Sequence, residues 1–478
     1  MRFKVLLIAG ALIAALVVAA PGDLGSHVAL GLLGLAALDS LTAALTGGSF
    51  VLATTGATFT NLTAGLKRRF DDNFKGVVAW SKGAAAAMLR KKAWDGEFAI
   101  YNMRVGNSPA RSATYSVAKA KSEDATYGFT KVKQAQVAWA KDYGRATIEG
   151  LLMKSASSKS GTSYDKFVAQ LDGIYDATMH SLSTKVYRDG YGCIGNISSG
   201  TNVATTTLTL AVPEDIILYE QGMDLQFSLT NNANTLRNAG ASLTVTALGT
   251  VANGNLTMSA AINTVTGTIA GDFIFAKGDR QDSATPTRLA VPGFDAWLPT
   301  AAPAGGENFY NLGDRNNDGR LLGTVIDCTT GTYSGASEVE ALIAAAIEST
   351  RVGGKPRTCF MNPTRYGNLV IDGQSRVRPT EARGPYGIGF SGVTVSTNFG
   401  DINVFPDPYC PRKRSYVVNM DSWTVYSVGT ATMPDFIMDD GNKILRQTDD
   451  DGVECRVGYY GAQGTNAPVQ NVVIKHES

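Results

Sequence analysis

The sequence holds little with which to do chemistry. Among 478 residues there are three histidines, His27, His180 and His476, so a His-dependent centre would have to use His180 or the terminal His476. Five cysteines, Cys193, Cys328, Cys359, Cys410 and Cys455, are odd in number and far apart, with no CxxC or Cys/His cluster. That argues against a disulfide framework or a zinc site and favours a reducing compartment or small buried side chains. Neither sign of charge dominates: Lys and Arg number 43, Asp and Glu 42. A balanced chain exerts no bulk pull on nucleic acid or acidic lipid. GxSxG, HExxH and P-loop motifs are absent, so no two catalytic groups come with a supporting motif. The chain reads as a non-enzyme, with no catalytic, cofactor-binding or metal residue to assign.

What is abundant is glycine, at 52 residues, together with many Thr, Val and Ala. This mixture points to turn-rich β structure rather than a helical bundle. The length allows a large core and suggests roughly two to four domains.

The N-terminus carries an apolar run from Val5 to Ala20 behind Met-Arg-Phe-Lys, followed by Pro21 and a second run, Val28–Leu38. The first run spans about 16 residues, short of the roughly 20 that cross a bilayer. A secretory signal or anchor, a sticky assembly segment, and an extension absent from the mature protein all fit it.

The strongest local signal is Thr162–Gly200. Tyr164, Phe167, Val168, Leu171, Ile174, Tyr175, Met179, Leu182 and Val186 recur at three- and four-residue steps, which makes one apolar stripe on a helix roughly 35–40 Å long. Thr162 and Asp165 fit a capping box, and Gly190 is a natural stop. A single stripe on so long a rod needs a broad cover. The β-rich region that follows is the expected cover, with the hairpin arm over the far end.

Around it the chain divides by composition. Asn61–Phe74 and Ala84–Lys92 read as short helices. Phe98–Val105 and Tyr127–Trp139 read as strands of a long hairpin, with Gly106–Thr126 as a polar, basic, poorly packed tip. The lysines of this region, Lys119, Lys121, Lys131, Lys133 and Lys141, read as a solvated face. Thr205–Asp279 reads as all-β, with short strands around Leu208, Leu225–Leu229, Ser242–Thr246, Leu256–Met258 and Phe273–Phe275, spaced as in a small barrel or sandwich. Pro286, Pro292, Pro299 and Pro303 mark a linker. Ser337 and Glu340 form a capping box for a helix to Val352, ended by Gly353-Gly354. Arg357–Met361 is a strand, and Asn362-Pro363 opens another short helix. Val393–Ile474 is strand and turn, with Asp440-Gly441-Asn442 and Asp451-Gly452 as turns.

Three motifs mimic binding sites. Gly190-Tyr191-Gly192-Cys193-Ile194-Gly195 matches GxGxxG, but a dinucleotide loop needs a strand before and a helix after; here the helix comes first. Asp314-Arg315-Asn316-Asn317-Asp318-Gly319 begins like a calcium loop, but Val325 stands where the bidentate Glu belongs. Asp449-Asp450-Asp451 reads as a solvated hairpin tip.

The order of elements resembles the major capsid proteins of tailed bacteriophages with the Hong Kong 97-type fold, an α+β fold. Matching stretches run from about Thr58 to Ile474. They include Arg111-Ser112-Ala113-Thr114, Tyr187–Gly200, Leu208–Glu220 and Gly271-Asp272-Phe273-Ile274-Phe275. Gly293-Phe294-Asp295-Ala296-Trp297-Leu298-Pro299, Cys359-Phe360-Met361-Asn362-Pro363, Asn419-Met420-Asp421-Ser422-Trp423 and Arg456-Val457-Gly458-Tyr459-Tyr460 extend the set. The resemblance implies an apolar N-terminal extension (1–50), an N-terminal arm (51–97), an extended hairpin loop (98–141) and a spine-helix region (142–200). A β-rich peripheral domain (201–285), a linker with peripheral strands (286–334), an axial α+β domain (335–430) and C-terminal strands (431–478) would follow. It implies a virion subunit assembled in the bacterial cytoplasm. Its partners would be copies of itself in hexamers and pentamers, portal, scaffold, maturation protease or decoration proteins, and DNA held nonspecifically. Some members cross-link a loop lysine to a neighbouring Asn; Lys119 and Lys121 stand in that loop, and no motif assigns the acceptor. Two other readings stay open: a secreted or membrane-anchored β-rich surface protein with residues 1–20 as signal, and an encapsulin-like cargo compartment of the same fold.

Overall fold

A five-residue helix, α1 (Ala84–Met88), leads into a short strand, β1 (Lys91–Ala93), rather than continuing to Lys92 as the sequence suggests. The computed structural model describes residues 83–477 except 125–127, 150–161, 314, 373–376, 381–391, 398, 429–433, 438–444 and 447–450. The apolar N-terminal runs, the Asn61–Phe74 helix, the Asp440-Gly441-Asn442 turn and Asp449-Asp450 lie outside the described residues.

β2 (Phe98–Gly106) turns Ala99, Tyr101, Met103 and Val105 inward, the period-2 alternation of a half-buried strand. The hairpin tip, expected to be poorly packed, holds a helix, α2 (Tyr115–Ser122), none of whose residues is buried. Its Ala and Lys favour helix, but no apolar stripe marks it. β3 (Lys131–Ala138) returns antiparallel to β2, with Phe98 opposite Ala138 and Arg104 opposite Val132. A strand then stands in the region assigned to the spine helix: β4 (Ala140–Glu149). Its exposed positions are Lys141, Tyr143, Arg145 and Thr147, while Gly144 and Ala146 face inward. With residues so small on the inner face, the hydrophobic alternation that reveals a strand is nearly silent.

The spine, α3 (Thr162–Lys185), has the expected extent. Met179 and Leu182, and Val186 just beyond the helix, are buried as the stripe requires. The side chains of Thr162, Tyr164, Asp165, Phe167, Val168 and Leu171 lie outside the described residues. After it come β5 (Cys193–Asn196), β6 (Thr207–Thr209), β7 (Asp224–Ser228), β8 (Leu243–Leu248), β9 (Asn255–Met258) and β10 (Phe273–Ala276). These pair in the order β5-β10-β7-β8-β9-β6. A bridge between Ile197 and Leu210 joins the two outer strands, so the sheet closes as a small barrel.

The proline-marked stretch is not a linker. Short helix α4 (Phe294–Trp297) sits within it, and Ala290, Val291, Phe294, Ala296, Trp297 and Leu298 are all buried. The prolines mark irregular backbone, not exposure. β11 (Thr324–Asp327) is followed by α5 (Glu338–Arg351), whose Ser337 hydroxyl and Glu340 carboxylate form the reciprocal capping box. After β12 (Thr358–Met361), α6 (Pro363–Asp372) opens with the Asn362 Oδ1 accepting from Thr364 N at 2.9 Å. The rest is strand: β13 (Val377–Thr380), β14 (Gly392–Thr397), β15 (Gly400–Pro406), β16 (Arg414–Val418), β17 (Trp423–Ser427), β18 (Asp435–Phe436), β19 (Leu445–Arg446), β20 (Gly452–Thr465) and β21 (Val472–Lys475).

A mixed sheet, β11-β21-β16-β12-β15-β14-β13, carries α5 and α6. A second sheet is built on β20, which pairs with β17, β18, β19 and β4, with β1 beyond β17. That second sheet, not the barrel, covers the described part of α3. A Cβ added to Gly144 would stand 2.7 Å from Ile174 Cγ2 and 2.8 Å from Thr178 Oγ1, so β4 approaches the helix as closely as backbone allows. Where the sheets, α3 and α4 meet, Tyr187, Phe294, Phe360, Tyr416 and Trp423 form an aromatic knot. Phe294 lies edge-on to Trp423 at 4.7 Å and stacks on Tyr416 at 5.3 Å.

Candidate functional site

The glycine motif is a passage for the chain, not a phosphate cradle. It runs from the end of α3 into β5, with no helix after it. Gly192 has φ +84°, and a Cβ there would stand 2.6 Å from the Asp279 carbonyl oxygen. Only glycine lets the exit of the spine pass so close to the strand leaving the barrel. The calcium-like loop is likewise occupied by protein: Asp318 accepts from Arg320 N at 3.1 Å and from Arg320 Nε at 2.8 Å; its first residue, Asp314, lies outside the described residues. Among the described residues no group of three His, Cys, Asp or Glu is placed to hold a metal ion. No described helix is long and apolar enough to cross a membrane.

His180 lies edge-on to Tyr409 at 5.2 Å, and burial pushes its imidazole down to about 4. His476 does meet a nucleophile-type side chain. Its Nε2 is 2.8 Å from Ser415 Oγ, and its Nδ1 is 3.2 Å from Glu338 Oε2. No spacing in the sequence marks this relay, which spans three distant segments. Burial first, and then the Arg365 cation, push His476 down to about 3 despite the nearby carboxylate. Ser415 has no exposed surface, so a reacting carbonyl has no approach to it. The C-terminal segment is instead tied to α5 through Arg365, which reaches both Glu338 and Glu477, with Arg412 also on Glu477. None of the five cysteines forms a disulfide, and burial raises the Cys193 thiol to about 12 and the Cys359 thiol higher still, which leaves both inert.

A groove of about 710 Å³ runs along α3 between β4 and the barrel. Its charged centre is already matched, because Lys185 Nζ reaches Asp142 at 3.0 Å and Asp279 at 3.4 Å. The groove therefore offers shape more than a reactive group.

The hairpin tip is open to solvent. None of the eight residues of α2 is buried. Tyr115 is 83% exposed, and Phe129 and Val132 beside it are 68% and 64% exposed. These are among the most exposed large apolar side chains of the described residues. Lys119 pairs with Glu123 at 3.7 Å along the same helix.

The sequence matches the family described as SU10 major capsid protein over residues 112–436. No curated protein matches it. Solved structures with a similar chain path include the cyanophage A-1(L) capsid asymmetric unit, with TM-score 0.48 and 11% identity over 89% of this chain and 99% of that one. Mycobacterium phage Adephagia gives 0.41 and 8%, over 89% and 99%. The holo-SrpI encapsulin complex from Synechococcus elongatus gives 0.42 and 8%, over 89% and 96%. The α+β architecture sets hairpin, long helix, β module and helix-on-sheet unit in the chain order that the resemblance implies. The match runs from the hairpin tip through the spine and barrel to the last sheet, well over half of the chain, and on it the protein belongs to the SU10 major capsid protein family, as a structural subunit of a phage head.

Proposed function

We propose that copies of this protein assemble through the hairpin tip into a closed shell of hexamers and pentamers that encloses DNA, built in the bacterial cytoplasm. One observation carries the reading: α2 is an eight-residue helix with no buried residue. Isolated helices shorter than about 12–15 residues are marginal in water, so α2 needs a cover that its own subunit does not supply. In a capsid family that cover is a second copy. Repetition of many such contacts gives avidity without any one strong interface, and a net charge of +1 avoids repulsion among many subunits. DNA inside such a shell needs to be tolerated rather than read. In this reading residues 201–285 are the peripheral module and 335–430 the axial unit.

Electron microscopy of the purified full-length chain tests the proposal, with residues 107–128 replaced by a short glycine-containing turn as the comparison. The β2–β3 pairing should survive this change, giving unchanged circular dichroism and melting temperature, while shells disappear. Shells of normal size from the shortened chain would overturn the role of the tip; discrete monomers from the unaltered chain under all assembly conditions would overturn assembly itself.

A further inference from the structure

We infer that Asp407 is a latch: its buried carboxylate holds α1 against the body as a releasable strap. Asp407 has no exposed surface. Its Oδ2 accepts from the Tyr187 hydroxyl at 2.6 Å and from Ala85 N at 3.1 Å, and its Oδ1 accepts from Tyr409 N at 3.0 Å. The Ala84 amide also faces it. All these donors are neutral, and they come from three places: α1, the exit of α3 and the loop after β15. A buried carboxylate is tolerated only where such donors replace water, so α1 and Asp407 depend on each other.

Little else holds α1. It is five residues long, and what it buries is the methyl groups of Ala84, Ala85, Ala86 and Ala87, with Met88 half-buried against the core. One further bond runs from Gly83 N to Ser183 Oγ at 3.2 Å. The fit is close, since a Cβ on Gly83 would stand 3.0 Å from Tyr409 Cδ2 and 3.2 Å from Asp407 Oδ2. Beyond α1 the chain is secured independently: Leu89 is fully buried, and β1 pairs with β17, Lys91 opposite Val425. Opening of the strap can therefore stop at Leu89. A short element of small side chains, bounded by a firmly held one, opens at lower cost than the whole domain. The carboxylate decides that cost.

Hydrogen exchange of the purified, unassembled full-length chain tests this, comparing peptides covering residues 84–89 with peptides from α5 and β16. In Asp407→Asn the amide nitrogen faces donors, and protection of residues 84–89 should fall at least tenfold while α5 and β16 keep theirs. Tyr187→Phe, which leaves the carboxylate one donor short, should give a smaller loss confined to the same peptide. It also serves as the deciding variant if Asp407→Asn fails to fold. Unchanged protection of residues 84–89, or protection that falls only in step with α5 and β16, would overturn the latch.

Discussion

A Cβ placed on Gly293 would stand 2.2 Å from the carbonyl oxygen of Val186. The two backbones are locked there by Gly293 N donating to Arg188 O at 2.8 Å and Phe294 N donating to Val186 O at 2.8 Å. The exit of the spine helix and the start of α4 are thus pressed together as backbone, which delivers Phe294 to the aromatic knot. Gly293→Ala should cost about 3 kcal/mol or more, the upper range of overpacking, because neither backbone can yield. Gly173→Ala is the contrast: it lies on an exposed face of α3 with nothing near its added methyl, and should gain about 0.5–1 kcal/mol from helix propensity. Denaturant unfolding of both variants checks the pair, and equal effects of the same sign would refute the packing argument.

The elements legible in the sequence are those with local signals. Ser337 and Glu340 announce α5, Asn362-Pro363 announces α6, and the barrel strands alternate between polar turns. The spine was legible from its stripe. Its cover was not, because β4 shows Gly144 and Ala146 to the helix and because its partner β20 lies about three hundred residues away in sequence: Gly461 pairs with Ala140 and Gly452 with Glu149. Register over such a distance leaves no local trace. Asp407 was invisible for a similar reason. A lone aspartate between two prolines has no spacing that marks a buried acceptor, and apart from Tyr409 N its donors, the amides of α1 and the Tyr187 hydroxyl, lie far away in the chain. The hairpin was legible as an arm, but its tip helix lacked the burial pattern that reveals helices, because none of its residues is buried.

Lys185 should behave as a keystone for the groove. It is 7% exposed. Burial opposes its charge, yet the Asp142 and Asp279 carboxylates outweigh this and hold its ammonium above the ordinary range. Lys185→Met would leave two carboxylates facing each other with their cation gone, a loss of about 3–5 kcal/mol. Lys185→Met combined with Asp142→Asn should lose less than the sum of the two single changes, because one stranded charge is removed. A double-mutant cycle by chemical unfolding measures the coupling; strict additivity would show that the pair does not act as a unit.

The capping box of α5 offers a smaller, local effect. Ser337 Oγ accepts from Glu340 N at 3.4 Å and Glu340 Oε2 accepts from Ser337 N at 3.1 Å. Ser337→Ala should cost about 1 kcal/mol, while Glu340→Gln, which keeps an acceptor at the same place, should cost less. Since both groups are at the surface, neither change should affect shell formation seen by electron microscopy, and a larger loss from Glu340→Gln would contradict the reciprocal geometry.

The histidines set an acid-side limit on stability. Burial holds His180 at about 4 and His476 at about 3, whereas an unfolded chain would titrate them near about 6.5. The unfolded state therefore binds more protons between those values, so stability is full above about pH 6.5 and falls with acidification, until the folded-state values near 4 and 3 are passed. Asp215 works in the opposite sense. Burial raises it to about 6, against the pull of Arg188, so acidification from pH 6 downward favours the folded state at that position. The two tendencies separate by substitution. His180→Phe keeps a ring against Tyr409 and removes the proton site, so its stability should drop less than that of the parent between pH 7 and pH 4.5, by about 1–3 kcal/mol. Asp215→Asn should drop more than the parent over the same range, because the acid-side gain is lost. Melting temperatures of the unassembled chain across that range give both slopes, and a His180→Phe curve parallel to the parent would show that this histidine is not held neutral by its surroundings.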